Sequence, residues 1–282
     1  MSDDAKLDRL RDILRGMGGA LVAYSGGVDS TFLLRVAHDV LGDRAVAVTA
    51  ISESFASSER EDAEKFAREM GARHVLVETR ELDREGYREN SSERCYFCKS
   101  ELFEKLVPIA ERENLPWVAY GEIADDATDH RPGARAARER KIRAPLAEAG
   151  LTKIEIRRIS RELGLATWDK PSIACLSSRI PYGQEVTPEK LSTIERAEAA
   201  LRRAGLRQIR VRHHESVARI ETDEAGMKIL LDPEVRERVA LELRELGYAY
   251  VTLDLQGYRT GSLNRGVART QQDSGVRAQG SG

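Results

Sequence analysis

The chain has 282 residues, 41% hydrophobic and 33% charged, enough apolar material for a packed core in one large or two modest domains. Lys and Arg (45) nearly balance Asp and Glu (47), so no global field draws the protein to nucleic acid or to an anionic membrane. No apolar run approaches the ~20 residues that span a bilayer, and the opening Met1-Ser2-Asp3-Asp4 carries no signal-peptide pattern, so the expected location is the cytoplasm.

Leu7, Leu10, Ile13 and Leu14 recur at helical spacing and the pattern stops at Gly16, predicting a first helix over 5–16. Ala20-Leu21-Val22-Ala23-Tyr24 reads as a buried strand, broken by Ser25-Gly26-Gly27. A helix is expected from about Asp29, with Phe32, Leu33, Val36, Ala37 and Val40 on one face. Further strands are predicted at 45–49, 74–77 and 117–120, and helices at 57–70 and 99–113. Residues 122–150 read as loop-rich, 152–163 as a helix, and 166–186 as an ordered functional loop or hinge. Strands without polar alternation, separated by helices, predict an α/β fold: a parallel sheet with helices on both faces.

The pattern changes after Thr187-Pro188-Glu189. A helix over 188–203, alternating and therefore half-exposed strands at 208–212 and 217–221, a helix over 233–246 and a strand at 249–254 predict a smaller C-terminal α+β domain with an antiparallel sheet. The expected organisation is 1–183, 184–265 and a polar, disordered tail over 266–282.

Ser25-Gly26-Gly27-Val28-Asp29-Ser30 lies between a buried strand and an amphipathic helix. Two glycines allow a tight turn and close approach to a ligand. The helix start that follows favours an anion, so the loop is suited to a phosphate or pyrophosphate. The Gly-Lys-Ser/Thr ending of a Walker loop is missing. A plain turn with Asp29 or Ser30 as helix cap is the simpler alternative. The full motif resembles that of the N-type ATP pyrophosphatases, the PP-loop superfamily with its adenine nucleotide alpha-hydrolase-like fold. That resemblance implies cleavage of ATP between its α- and β-phosphates.

Three cysteines are present, two of them as Cys95-Tyr96-Phe97-Cys98 and the third in Lys170-Pro171-Ser172-Ile173-Ala174-Cys175-Leu176-Ser177-Ser178-Arg179. In a reducing compartment this pattern points to metal or redox chemistry. Arg94 and Lys99 flank the pair and favour thiolates. If Cys175 folds back to the pair, three thiolates can hold a [4Fe–4S] cluster with one iron open. Buried inert thiols and a redox disulfide are the alternatives.

Five stretches together resemble one family, from near residue 5 to about residue 265: the glycine loop, Arg94–Lys99, Asp129-His130-Arg131-Pro132-Gly133, Ala144–Lys153 and Lys170–Arg179. They are similar to the LarE family of ATP-dependent pyridinium-3,5-biscarboxylic acid mononucleotide sulfurtransferases. The resemblance implies that ATP and Mg²⁺ adenylylate a substrate carboxylate. A sulfur then displaces AMP, giving a thiocarboxylate on the way to the nickel-pincer nucleotide. It implies that Ser25, Gly26, Gly27, Val28, Asp29 and Ser30 bind the nucleotide, with Asp29 the nearest candidate to position Mg²⁺. Cys175 is the implied sulfur-transfer residue in both known subtypes. In one subtype it surrenders its own sulfur. The Cys-x-x-Cys pair places this chain with the other, in which Cys95, Cys98 and Cys175 hold [4Fe–4S] and a sulfide on the open iron is the donor. The partners implied are a small-molecule nucleotide, a sulfide source and further copies of the chain.

Ser178 and Arg179 stand just beyond Cys175, within reach of a phosphate or carboxylate. Arg210 and Arg212 alternate on one strand face, with Glu221 ending the next strand and Glu198 on the preceding helix. This is either a forked anion site or cross-strand surface pairing. The family places substrate-phosphate arginines and metal-binding acids in the matching region. His213-His214 reads as a solvent-exposed pair at a strand end. Two rival readings fit the same motifs: a PP-loop tRNA thiolase, and a non-catalytic ATP- or cluster-binding sensor.

Overall fold

A computed structural model describes residues 2–128, 132–171 and 174–259, which fall into two units. One is built from the described residues up to Tyr87 and from Glu93 to Pro171, the other from Arg88–Ser92 and the described residues from Ala174 onward. Parts of the Asp129–Gly133 and Lys170–Arg179 motifs, and the tail expected from residue 266, lie outside the described residues.

In the first unit, short runs of Ala, Val and Leu form β1 (Ala20–Ala23), β2 (Ala45–Ile51), β3 (Arg73–Glu78) and β4 (Trp117–Tyr120). All pair in parallel in the order β3-β2-β1-β4. In register, Leu21 stands between Val46 and Val118. The helices are α1 (Asp3–Met17), α2 (Val28–Leu41), α3 (Ser57–Glu69), α4 (Glu85–Arg88, ending in the second unit), α5 (Arg94–Arg112), α6 (Pro132–Glu139), α7 (Pro145–Glu148) and α8 (Lys153–Glu162).

Alternate strand residues feed two cores. Ala20 and Val22 pack with Leu10, Phe32, Leu33, Leu146 and Ile156 on one face. Leu21, Val46 and Val48 pack with Phe103, Leu106 and Ala136 on the other. Each buried Val, Leu, Ile or Phe among them stabilises the fold by about 1.5–3 kcal/mol. The expected parallel sheet with helices on both faces is thus present. The strand order reverses between β1 and β4, and the crevice outside their carboxyl ends is where open α/β sheets bind ligands.

One expectation needs correction here. Residues 122–150 contain α6 and α7, two helices too short for periodicity to reveal; α6 is held by buried Ala136 and Ala137. The segment opened by Cys95-Tyr96-Phe97-Cys98, which reads as helix-like, and the helix expected over 99–113 form one continuous helix that starts at Arg94, one residue before the cysteine pair.

In the second unit, Thr187 caps α9 (Pro188–Arg203) by accepting from the Lys190 N–H at 3.3 Å. β5 (Ile209–His214) pairs antiparallel with β6 (Val217–Thr222). After α10 (Glu224–Leu231) and α11 (Pro233–Glu245), β7 (Tyr250–Leu253) pairs parallel with β6. The sheet is therefore mixed, not antiparallel: the two-helix crossover returns the chain in the same direction. Ala197, Leu201, Val211, Ile220 and Leu243 form its core. Asn90 belongs here because its side-chain amide donates to the carbonyls of Ile180 (3.2 Å), Pro181 (2.8 Å) and Gln184 (3.1 Å). Among the described residues, no helix is long and apolar enough to cross a membrane.

Candidate active site

The glycine loop leaves the end of β1, the strand flanked by β2 and β4, and enters α2. Gly26 has φ +68°, a left-handed conformation that favours glycine, and a Cβ there would lie 3.0 Å from the Cα and Cβ of Ala63 on α3. Gly27 is the N-cap of α2 and carries no side chain to satisfy the first-turn N–H groups, which suits them to an anion. Ser25 and Ser30 brace the loop. Their hydroxyls are 3.1 Å apart, the Ser25 N–H donates to Ser30 Oγ at 3.2 Å, and Ser30 Oγ donates to the Gly27 carbonyl at 3.3 Å. Val28 is buried beneath the turn, so it shapes the loop from the core side.

Asp29 lies in the first turn of α2 and forms an ion pair with Lys153, the first residue of α8. Its Oδ1 is buried without a hydrogen-bond partner. Burial raises the Asp29 carboxyl above its ordinary range; Lys153 opposes that rise and Asp126 adds to it. The Lys153 N–H in turn donates to Asp125 Oδ2 at 2.8 Å. An ionised oxygen with no internal donor, at the mouth of a phosphate loop, suits a hard cation that completes its shell with phosphate oxygens and water.

Cys95 and Cys98 sit in the first turn of α5 on one helix face, Cys95 exposed and Cys98 half-buried. Cys175 caps the 3₁₀ turn Leu176–Arg179 and is half-buried. Cys95 and Cys98 belong to the first unit and Cys175 to the second. Among the described residues, no three His, Cys, Asp or Glu side chains form a metal-holding group.

Arg179 is 1% exposed and fully engaged. It donates to both oxygens of Glu198 (2.8 and 2.9 Å), to the carbonyls of Ala174 and Cys175 (the latter at 2.9 Å), and to Ser178 Oγ at 3.1 Å. The guanidinium therefore clamps the backbone that carries Cys175. Glu198 also accepts from the Val211 N–H at 3.0 Å. Burial pushes the Glu198 carboxyl up, but Arg179, Arg210 and these hydrogen bonds outweigh it and hold it below its ordinary value. Arg212 donates to the Ser178 carbonyl and to Glu221, both at 2.7 Å. Arg210 faces Glu221 across the strands and covers the Tyr258 ring at 5.2 Å. Burial and the neighbouring Arg179 lower its pKa to about 10.

The charged faces of β5 and β6 are therefore not half-exposed: Arg210, Arg212 and Glu221 are buried in an ionic network. His213 is also not solvent-exposed. It is buried, with its Nδ1 3.0 Å from the Tyr248 hydroxyl, while half-buried His214 accepts from Arg219 Nε at 3.3 Å. Three features at the loop escaped the sequence reading. Gly121, after β4, passes so close to α2 that a Cβ would lie 3.1 Å from Ser30 N. Lys153 pairs with Asp29, and Lys170 reaches the Gly26 carbonyl at 3.4 Å. Gly121 ends a predicted strand and the lysines lie in two of the motif stretches, but nothing local signals that either lysine reaches the loop.

A parallel sheet with a glycine-rich turn between its central strand and α2, closed against Ala63 and Gly121, defines the PP-loop class of nucleotide-binding α/β proteins. No protein-family model matches the chain. It is 47% identical to an uncharacterised protein of Synechocystis, over 93% of this chain and 98% of the relative. It is 37% identical to the pyridinium-3,5-bisthiocarboxylic acid mononucleotide synthase of Lactiplantibacillus plantarum, over 92% of this chain and 93% of that enzyme. A component of the glutamine-hydrolysing GMP synthase of Thermoplasma acidophilum is 28% identical, over 70% of this chain and 68% of its own length. The chain belongs to the LarE family, that of the pyridinium-3,5-bisthiocarboxylic acid mononucleotide synthase.

Proposed function

We propose that the protein uses ATP to convert a carboxylate of pyridinium-3,5-biscarboxylic acid mononucleotide into a thiocarboxylate. The observation that carries this reading is the 37% identity to the bisthiocarboxylic acid mononucleotide synthase across nearly the whole of both chains. The loop geometry supports it. A carboxylate is a poor electrophile, and attack of its oxygen on the α-phosphorus of ATP breaks the bond to the β-phosphate oxygen. Pyrophosphate leaves, and the uncapped N–H groups at the start of α2 suit its negative charge. Asp29 Oδ1 is the ligand this chain offers to Mg²⁺, which neutralises phosphate charge when bound. Sulfur then attacks the acyl carbon and AMP leaves.

Recognition of the substrate's anionic groups falls to the second unit. There three buried guanidiniums, Arg179, Arg210 and Arg212, face two buried carboxylates, Glu198 and Glu221, an excess of one positive charge among them. Arg179 holds Glu198, Ser178 and the Cys175 turn, and we assign anion contact to Ser178, Arg210 and Arg212. Cys175 is the sulfur-transfer residue. Cys95 and Cys98, on one face of α5, suit two ligands of a [4Fe–4S] cluster and Cys175 would be the third. Such a cluster would supply an open iron able to bind hydrosulfide.

The test combines pyrophosphate release with mass analysis of the nucleotide product. The reading predicts release that depends on the pyridinium dicarboxylate mononucleotide, and product thiocarboxylate that is lost in Cys175→Ala. ATP binding without substrate-dependent pyrophosphate would refute it and favour a sensor.

A further inference from the structure

Lys170 opens the stretch that carries Cys175 and has no part in the chemistry above. Its side chain is 12% exposed, and its ammonium lies 2.9 Å from Glu59 and 2.7 Å from Asp62, both on α3. The same ammonium donates to the Gly26 carbonyl at 3.4 Å and stands 5.4 Å from the centre of the Phe66 ring. Its own backbone carbonyl accepts from Arg157 at 2.8 Å. Lys170 is thus fixed at both ends while touching the phosphate loop.

The peptide joining Gly26 to Gly27 is planar and trans, so its carbonyl and its N–H point in opposite directions. The Gly27 N–H faces Ser25 Oγ at 3.4 Å, on the side of the loop where the Ser25 and Ser30 hydroxyls meet. A peptide between two glycines rotates at little steric cost. Rotation here would turn the N–H away from the phosphate side. An anchored ammonium on the carbonyl opposes that rotation. We infer that Lys170, held by Glu59 and Asp62, is a positioning residue that keeps the Gly26–Gly27 peptide oriented to receive the pyrophosphate of ATP. The inference rests on the ATP-cleaving reading above.

The experiment measures inorganic pyrophosphate binding by calorimetry, and KM for ATP against kcat in substrate-dependent pyrophosphate release, on the full chain. Lys170→Met should weaken pyrophosphate binding and raise KM for ATP by about tenfold, the worth of one charge-assisted hydrogen bond, with kcat changed less than about twofold. Lys170→Arg should restore most of the loss. Asp62→Asn loosens the anchor at a residue 43% exposed, where folding is little affected, and should shift both quantities the same way by a smaller factor. Unchanged pyrophosphate affinity in Lys170→Met overturns the inference, as does a Lys170→Arg variant no better than Lys170→Met. If Lys170→Met does not fold, unchanged affinity in Asp62→Asn overturns it. A wild-type protein that binds neither pyrophosphate nor ATP overturns the ATP-cleaving reading itself.

Discussion

Replacing Arg179 with methionine removes the cation that holds two things at once, the Glu198 carboxylate and the backbone of the Cys175 turn. Both side chains of the pair are almost fully buried, at 2% and 1% exposure. Deleting one partner of such a pair costs about 3–5 kcal/mol, because the other charge is left without compensation. Against a typical total stability of about 5–15 kcal/mol, that is a large share. On a chain of this size it lowers the melting temperature on the order of 10 °C. Arg202 at 3.7 Å and nearby Arg210 partly shield the orphaned Glu198, so the lower half of the range is expected. The pH dependence follows from the direction of the Glu198 shift. In the wild type the carboxyl is held low, so the pair contributes fully above an unfolded-state value of about 4.3 and is lost as pH falls through the folded value. In the variant burial prevails and the carboxyl rises, so the stability difference should narrow under acidic conditions. Urea melts at several pH values measure this, and Arg179→Met/Glu198→Leu should recover much of the loss. A single variant within about 0.5 kcal/mol of wild type, or a double variant no better than the single, would refute the reasoning.

Further outcomes follow from the loop and the thiols. Gly26→Ala forces a side chain into left-handed backbone and against Ala63, so it should lose about 1–2 kcal/mol and most ATP affinity, read by melting and by KM. Gly121→Ala places a Cβ 3.1 Å from Ser30 N and should raise KM for ATP more than it lowers the melting temperature. Because burial raises the Asp29 carboxyl against the opposing Lys153, protonation should compete with Mg²⁺ as pH falls, raising KM for Mg–ATP on the acid side. Lys153→Met should move that limb to higher pH, which a pH profile of pyrophosphate release would show. After anaerobic reconstitution, iron content should fall in Cys95→Ala and in Cys98→Ala.

The parallel sheet and the phosphate loop were legible because both depend on local pattern. Apolar strands between amphipathic helices set the sheet, and adjacent glycines between a strand and a helix mark the turn. Gly121, Lys153 and Lys170 were not legible as loop residues, since each meets Asp29, Ser30 or Gly26 only through the tertiary fold. Arg210, Arg212 and Glu221 alternate as surface charges do, and nothing local distinguishes an exposed ion pair from one buried under Arg179 and Tyr258. β7 pairs parallel with β6 because a helical crossover joins them, as the helix expected over 233–246 already allowed. The helical character of Cys95–Cys98 was legible, although Glu93 at the cap position makes no side-chain cap bond, and the helix puts Cys95 and Cys98 on one face.

The most direct test supplies the purified protein with Mg–ATP, a sulfide source and pyridinium-3,5-biscarboxylic acid mononucleotide under anaerobic conditions, then follows phosphorus species and the mass of the nucleotide. The account predicts AMP and pyrophosphate in equal amounts and a product in which carboxylate oxygen has been replaced by sulfur. ADP and phosphate in their place, or AMP formation with the nucleotide unchanged, would contradict it.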